Sequence, residues 1–163
     1  MAKNKEEKTN VMRVLEQKKI AYTAHTYPHE EGVAVDGVTV AQSMGFDPAA
    51  VFKTLVARGA SKQYYVFDVP VAENLDLKKA AKAVGEKSIE MLHQKELLPL
   101  TGYVHGGCSP VGMKKLFPTV IDASAENLET MIVSAGKIGY QVELAPHDLA
   151  ALVRAKFADI IVE

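Results

Sequence analysis

Lys53 stands in the run Val51-Phe52-Lys53-Thr54-Leu55-Val56-Ala57, whose β-branched and aromatic content predicts a strand. Side chains alternate between the faces of a strand, so Lys53 shares a face with Val51, Leu55 and Ala57. Phe52, Thr54 and Val56 take the other. An ammonium on an otherwise apolar face must snorkel to water, find an acid, or stand at the mouth of a pocket. In the last case its three donors are available to a carbonyl, hydroxyl or phosphate oxygen. From the residues alone, an edge lysine and a pocket lysine are equal alternatives.

A second feature is the loop Gly106-Gly107-Cys108-Ser109-Pro110-Val111-Gly112. Adjacent glycines let backbone N–H groups converge on a ligand oxygen, because no Cβ blocks the approach. Such a cradle can stabilise an oxyanion; the plain alternative is a tight turn. From Pro99 to Ile121 the chain has no Asp or Glu, and Lys114 and Lys115 follow the loop. That composition suits a phosphate-bearing ligand and equally a solvated turn. Val133-Ser134-Ala135-Gly136 ends an apolar run in small residues, which leave room for a ligand or make a turn.

Other constellations do not assemble. His25, His29, His93, His105 and His147 lack metal-ligand companions at recognisable spacing, so no metal site is expected. No nucleophile signature surrounds Cys108, and no phosphate-binding or dinucleotide fingerprint is present.

The elements that must position these residues can be read in order. Thr9 or Asn10 caps a helix carrying Val11, Val14 and Leu15 and ending near Lys19. Ala21 to Tyr27 reads as a strand stopped by Pro28, and His29 to Val38 as a loop. Thr39 with Gln42 has capping-box spacing for a short helix closed by Gly45, and Asp47-Pro48 opens a single turn. Val51–Arg58 and Tyr64–Val69 form an antiparallel hairpin. Asp76 caps a helix from Leu77 to Val84 with Lys78, Lys79 and Lys82 outward. A short strand at Ser88–Met91 and a helical turn at Gln94–Leu98 follow. Thr119–Asp122, Met131–Ser134 and Gln141–Leu144 are further strands, Ser124 caps a turn between the first two, and Pro146 opens a last helix. The mixture without a regular βαβ beat predicts an α+β (complex α/β) fold with a mixed, partly barrel-like sheet flanked by helices.

Composition sets the bounds. The chain has 163 residues, 48% hydrophobic and 24% charged, enough for one domain over residues 1–163 with a frayed stretch at 1–8. Its 19 basic and 20 acidic side chains give a net charge of −1, which excludes a general polyanion binder. One cysteine excludes an intrachain disulfide and fits a reducing compartment. No apolar run is long enough to span a membrane, and the opening MAKNKEEKTN lacks a signal-peptide core. A cytoplasmic protein is expected.

The chain closely resembles the YbaK/EbsC family, free-standing relatives of the editing domain of bacterial prolyl-tRNA synthetases. The resemblance is carried by His25-Thr26-Tyr27, Phe52-Lys53-Thr54-Leu55, Leu77 to Lys82, Gly106 to Gly112, Val133 to Lys137 and Val142 to Pro146, nearly the whole chain. It implies the YbaK/prolyl-tRNA synthetase-associated domain fold and a deacylase that removes cysteine from mischarged Cys-tRNA(Pro), with Cys-tRNA(Cys) as a further substrate. Such editing is needed because a proline pocket rejects a residue of similar size poorly. The resemblance further implies Lys53 as the essential lysine, with Tyr27 beside it. Gly106, Gly107, Ser109 and Pro110 would hold the terminal adenosine and ester carbonyl, and Ser134 and Gly136 would wall the pocket. No cofactor is implied. The substrate's own thiol would attack its ester and leave as a thiolactone, which explains why no triad is seen. Lys78, Lys79, Lys82 and Lys115 are the expected phosphate contacts on the acceptor end, and prolyl-tRNA synthetase is the implied partner. Two positions depart from the family pattern: Gln141 stands where some relatives have aspartate, and Ala135 replaces the first glycine of a Ser-Gly-Gly run. The competing readings are a water-using deacylase for Ala-tRNA(Pro) or another mischarged species, and a non-catalytic binding domain.

Overall fold

The structure, a computed structural model, describes residues 8–30 and 32–163; residues 1–7 of the expected frayed stretch lie outside the described residues. Helix α1 (Asn10–Gln17) starts where Thr9 accepts the Met12 N–H, and buries Val11, Met12 and Leu15. Strand β1 (Thr23–Thr26) is shorter than the Ala21–Tyr27 expectation. Helix α2 (Gly37–Met44) begins before Thr39, because the Asp36 carboxylate takes the capping role. It accepts the Thr39 N–H at 3.1 Å and its hydroxyl at 3.2 Å, so the polar side chain expected to cap is itself held by the true cap. Gly45 closes the helix at φ +79°, a conformation glycine adopts freely.

A 3₁₀ turn, Pro48–Ala50, leads into the hairpin β2 (Phe52–Gly59) and β3 (Tyr64–Pro70). Helix α3 (Leu77–Val84) is capped by Asp76 and stopped by Gly85, as its residue types require. Strand β4 (Ile89–Met91) and helix α4 (Gln94–Thr101) follow; α4 continues through Pro99, beyond the single turn expected. Strand β5 (Thr119–Asp122) ends in a 3₁₀ turn capped by Asp122, where Ser124 was the expected cap. Then come β6 (Met131–Ser134), β7 (Tyr140–Leu144), α5 (Pro146–Val153) and an unanticipated β8 (Lys156–Ala158).

The strands form two sheets, β4-β2-β3-β5-β8 and β1-β7-β6. Antiparallel pairs join β4, β2 and β3, while β3–β5 and β5–β8 are parallel. The fold is α+β, but the barrel-like closure does not occur: both sheets are open. The reason lies at β2, whose outer edge meets β4 only from Ala57 to Gly59. The bridge Val51↔Ile132 brings β6 alongside the start of β2. Between these contacts the edge from Phe52 to Leu55 is left for a cleft.

A core cluster with α1, Phe52, Ile121, Val133, Val142 and Leu149 ties the two sheets together. A second, with Ala57, Phe67, Val69, Ala80 and Ala81, lies between α3 and the larger sheet. Among the described residues no helix is long and apolar enough to cross a membrane.

Candidate active site

The cleft beside the exposed edge of β2 has a volume of about 370 Å³. It is lined by Phe52 to Leu55 from β2, Tyr27 beyond β1, and Ser134 and Gln141 from β6 and β7. Asp36, Gly37 and Val40 come from the start of α2, and His105, Gly106 and Cys108 from the glycine-rich loop. Of the residues anticipated from sequence, Lys53, Tyr27, Gly106 and Ser134 therefore meet at one surface.

Lys53 is half-buried. Among the described residues it has no hydrogen-bond or ion-pair partner. Burial pushes its ammonium below the ordinary lysine range, and the carboxylates of Asp36 and Glu73 pull it partly back. A desolvated cation without an internal partner is poised to take one from a ligand. Asp36 lines the same cleft while capping α2, so one carboxylate both starts the helix and supplies counter-charge. Burial raises the Tyr27 phenol, which stays a neutral donor at physiological pH.

Ser134 and Gln141 are register partners on β6 and β7. The Ser134 Oγ accepts the Gly136 N–H at 3.1 Å. The Gln141 Oε1 is buried in the cleft wall and has no hydrogen-bond partner among the described residues, a group whose burial costs stability unless something pairs with it.

The remaining residues expected at the pocket stand behind it. Gly107 does not line the cleft, and its N–H is spent on the Val104 carbonyl at 3.0 Å. The cradle of adjacent free amides is therefore reduced on that side. Ser109 is fully buried and its Oγ accepts the Val111 N–H at 3.2 Å; Pro110 is buried beside it. Gly136 adopts φ +94°, and a Cβ there would stand 2.9 Å from Tyr103 Cε1. Gly136 thus admits the Tyr103 ring, whose hydroxyl donates to the Val111 carbonyl and clamps the loop. Gly106 does reach the cleft, at φ +90°, where a Cβ would stand 2.7 Å from Ala34 Cβ.

The Cys108 thiol lines the cleft but is pushed up to about 12 by burial, with the Asp68 charge adding to it. It is no thiolate near neutral pH and a poor nucleophile. Among the described residues no three His, Cys, Asp or Glu side chains gather as a metal site; His25, for example, bonds Glu143 at 2.8 Å. Lys78, Lys82 and Lys115 are exposed, and none of the four expected phosphate contacts lines the cleft. The Lys79 ammonium is committed to Asp159 at 3.0 Å, the Ile161 carbonyl at 2.9 Å and Glu163 at 3.3 Å.

Sequence reasoning did not single out Asp36, Thr54 or His105 for this surface. The signal for Asp36 is its spacing to Thr39, since an acid three residues before that N–H is itself a good cap. Thr54 was assigned to the face opposite Lys53, and the exposed strand edge brings both to the cleft.

Comparison with known proteins fits this geometry. The sequence pattern of the aminoacyl-tRNA editing domain matches residues 32–152. The chain is 46% identical over 161 residues, 98% of each chain, to an Enterococcus faecalis (strain ATCC 700802 / V583) protein named as the Cys-tRNA(Pro)/Cys-tRNA(Cys) deacylase EbsC. A solved structure described as a trans-editing enzyme for prolyl-tRNA synthetase superimposes with a TM-score of 0.79 at 26% identity, covering 94% of this chain and 95% of that one. A hypothetical protein, APE2540, shares the fold with a TM-score of 0.82 at 19% identity, over 93% of this chain and 99% of that one. With a matched pattern over residues 32–152, which hold all of the cleft lining but Tyr27, and a near full-length relative, the chain belongs to the aminoacyl-tRNA editing domain family.

Proposed function

We propose that this protein is a trans-editing deacylase that removes cysteine from mischarged Cys-tRNA(Pro), with Cys-tRNA(Cys) as a further substrate. The observation that carries the reading is the half-buried Lys53 ammonium, without a partner among the described residues, sharing a cleft with Gly106 and Ser134. The relative bearing that name is similar along nearly its whole length.

The Cys108 thiol of the cleft is not an activated nucleophile, since it sits far above neutral pH. The nucleophile in this reading is the substrate's own sulfur. It attacks the ester carbonyl, the C–S bond forms, and the ribose oxygen leaves with the thiol proton, giving a thiolactone and free tRNA. What the protein must supply is a bent aminoacyl conformation and charge at the developing oxyanion or leaving oxygen. Lys53 supplies the charge, and Gly106, Tyr27, Ser134 and Gln141 bound the space. Gly107, Ser109, Pro110 and Gly136 act by fixing the loop. Lys78, Lys82 and Lys115 are the proposed phosphate contacts; Lys79 would have to leave its carboxylates to join them.

The near-neutral charge suits an enzyme that touches only the acceptor end; such an enzyme would leave the choice of tRNA to a partner, and the proposed partner is prolyl-tRNA synthetase. The reading carries a cytoplasmic location with it, supported by the single, unpaired cysteine. The deciding assay compares Cys-tRNA(Pro), Ala-tRNA(Pro), Pro-tRNA(Pro) and a thiol-blocked cysteinyl substrate. Selective loss of cysteine, abolished by blocking the thiol, is the expected result. Preference for Ala-tRNA(Pro), or equal cleavage of the blocked substrate, makes water the nucleophile; no turnover leaves a binding domain.

A further inference from the structure

Thr54 and Asp68 are register partners across the β2–β3 ladder. Thr54 lines the cleft, whereas Asp68 is fully buried and does not. The Thr54 Oγ1 and Asp68 Oδ1 are 2.6 Å apart, and Asp68 Oδ2 is buried with no hydrogen-bond partner among the described residues. What faces this carboxyl is Thr54 from β2, Ile121 in register on β5, and Cys108 from the glycine-rich loop. Among the described residues no Lys, Arg or His pairs with it; the influences on it are burial and the Thr54 hydroxyl.

A carboxylate sealed from water with a single hydrogen bond is strongly disfavoured. The neutral acid with its proton on Oδ1 leaves only a carbonyl oxygen unpaired, the cheaper orphan, and donates to Thr54 Oγ1. The hydroxyl proton of Thr54 then has no other acceptor among the described residues, and Thr54 lines the cleft. Ionisation reverses the polarity: Thr54 donates back to Asp68 and shows the cleft only lone pairs. The O···O contact serves both proton placements.

We propose that Asp68 is a positioning residue which, as a neutral acid, donates to Thr54 and so turns the Thr54 hydroxyl into a hydrogen-bond donor toward the ester carbonyl, beside the Lys53 ammonium. The proposal rests on the deacylase reading above. Burial pushes Asp68 up to about 7, so the reversal falls near neutral pH.

The test uses the full chain and rates of Cys-tRNA(Pro) deacylation. Asparagine keeps a permanent donor toward Thr54, so Asp68→Asn is expected within about twofold of wild type near pH 6. The ratio of variant to wild-type kcat then rises with pH above about 7, because only the wild type reverses; the ratio cancels the titrations of substrate and of Lys53. Thr54→Val is expected to lower kcat by about a hundred- to a thousandfold, and in that background Asp68→Asn has no further effect. A carbon-13 NMR titration of the Asp68 carboxyl, read without turnover, is expected to show the acid form at pH 6. Turnover with a flat ratio, additive Thr54 and Asp68 effects, or an ionised Asp68 at pH 6 each overturns the proposal alone. Absence of turnover with every charged tRNA overturns the deacylase reading, and the ester donor role with it.

Discussion

At the scale of single residues, the site is defined by which polar groups the protein leaves without partners. Among the described residues the Lys53 ammonium and the Gln141 Oε1 have none, and both residues line the cleft. Lys53→Ala is expected to lose most deacylation while its circular dichroism and melting temperature stay close to wild type, because burying that charge never helped the fold. Cys108→Ser is expected to remain active; a dead Cys108→Ser beside an active Lys53→Ala in the same assay reverses the assignment. Asp68 makes the opposite stability prediction. Its carboxyl is held near 7 in the native state and near 3.9 when unfolded, so the native state binds the extra proton between those values. Wild-type stability from this group is therefore greatest at low pH and lost as pH rises toward 7. Asp68→Asn is expected to flatten that slope and to gain on the order of a few kcal/mol relative to wild type at pH 8, but not at pH 4, by urea denaturation.

At the scale of elements, caps and tight approaches decide where the cleft residues come to rest. Asp36 starts α2 and offsets the charge of Lys53. Asp36→Ala is expected to cost about 1 kcal/mol in a melting experiment and to shift the pH dependence of kcat that belongs to Lys53 downward. Gly136→Ala is expected to destabilise by roughly 1–3 kcal/mol, since φ +94° and the Tyr103 ring both oppose a Cβ. Activity should fall with it, because Tyr103 clamps the glycine-rich loop; an unchanged melting temperature in Gly136→Ala contradicts this account. The elements themselves were largely readable. Pro48, Gly45, Asp76 and Gly85 announce their turns and caps, as local backbone chemistry requires. The α2 start is ambiguous in sequence because Asp36 and Thr39 are both good caps, and only the folded backbone shows which carries the other.

At the scale of the molecule, one core cluster joins α1, both sheets and α5. The chain is therefore expected to unfold as one cooperative unit, with coincident urea transitions by far-ultraviolet circular dichroism and tyrosine fluorescence. Leu149 is fully buried in that cluster, and Leu149→Ala is expected to cost about 2–5 kcal/mol in the same experiment. The net charge of −1 sets a further expectation. With few phosphates contacted, tRNA binding should weaken only gently with salt, at a log–log slope of about −2 to −3. A much steeper slope would mean a broad electrostatic footprint that this surface does not have.

Local chemistry written in the chain determined the hairpin, the caps, the glycine-rich loop and the oddity of a lysine on an apolar strand face, because propensity, alternation and backbone freedom act over a few residues. The tertiary structure decided what those pieces do together. Only the pairing of strands far apart in sequence leaves β2 uncovered from Phe52 to Leu55, keeps the sheets open, and turns Gly107 and Gly136 from pocket lining into support. Burial of Asp68 behind Thr54 is likewise a property of layers rather than of spacing, since a lone aspartate in a strand gives no local sign of whether water will reach it.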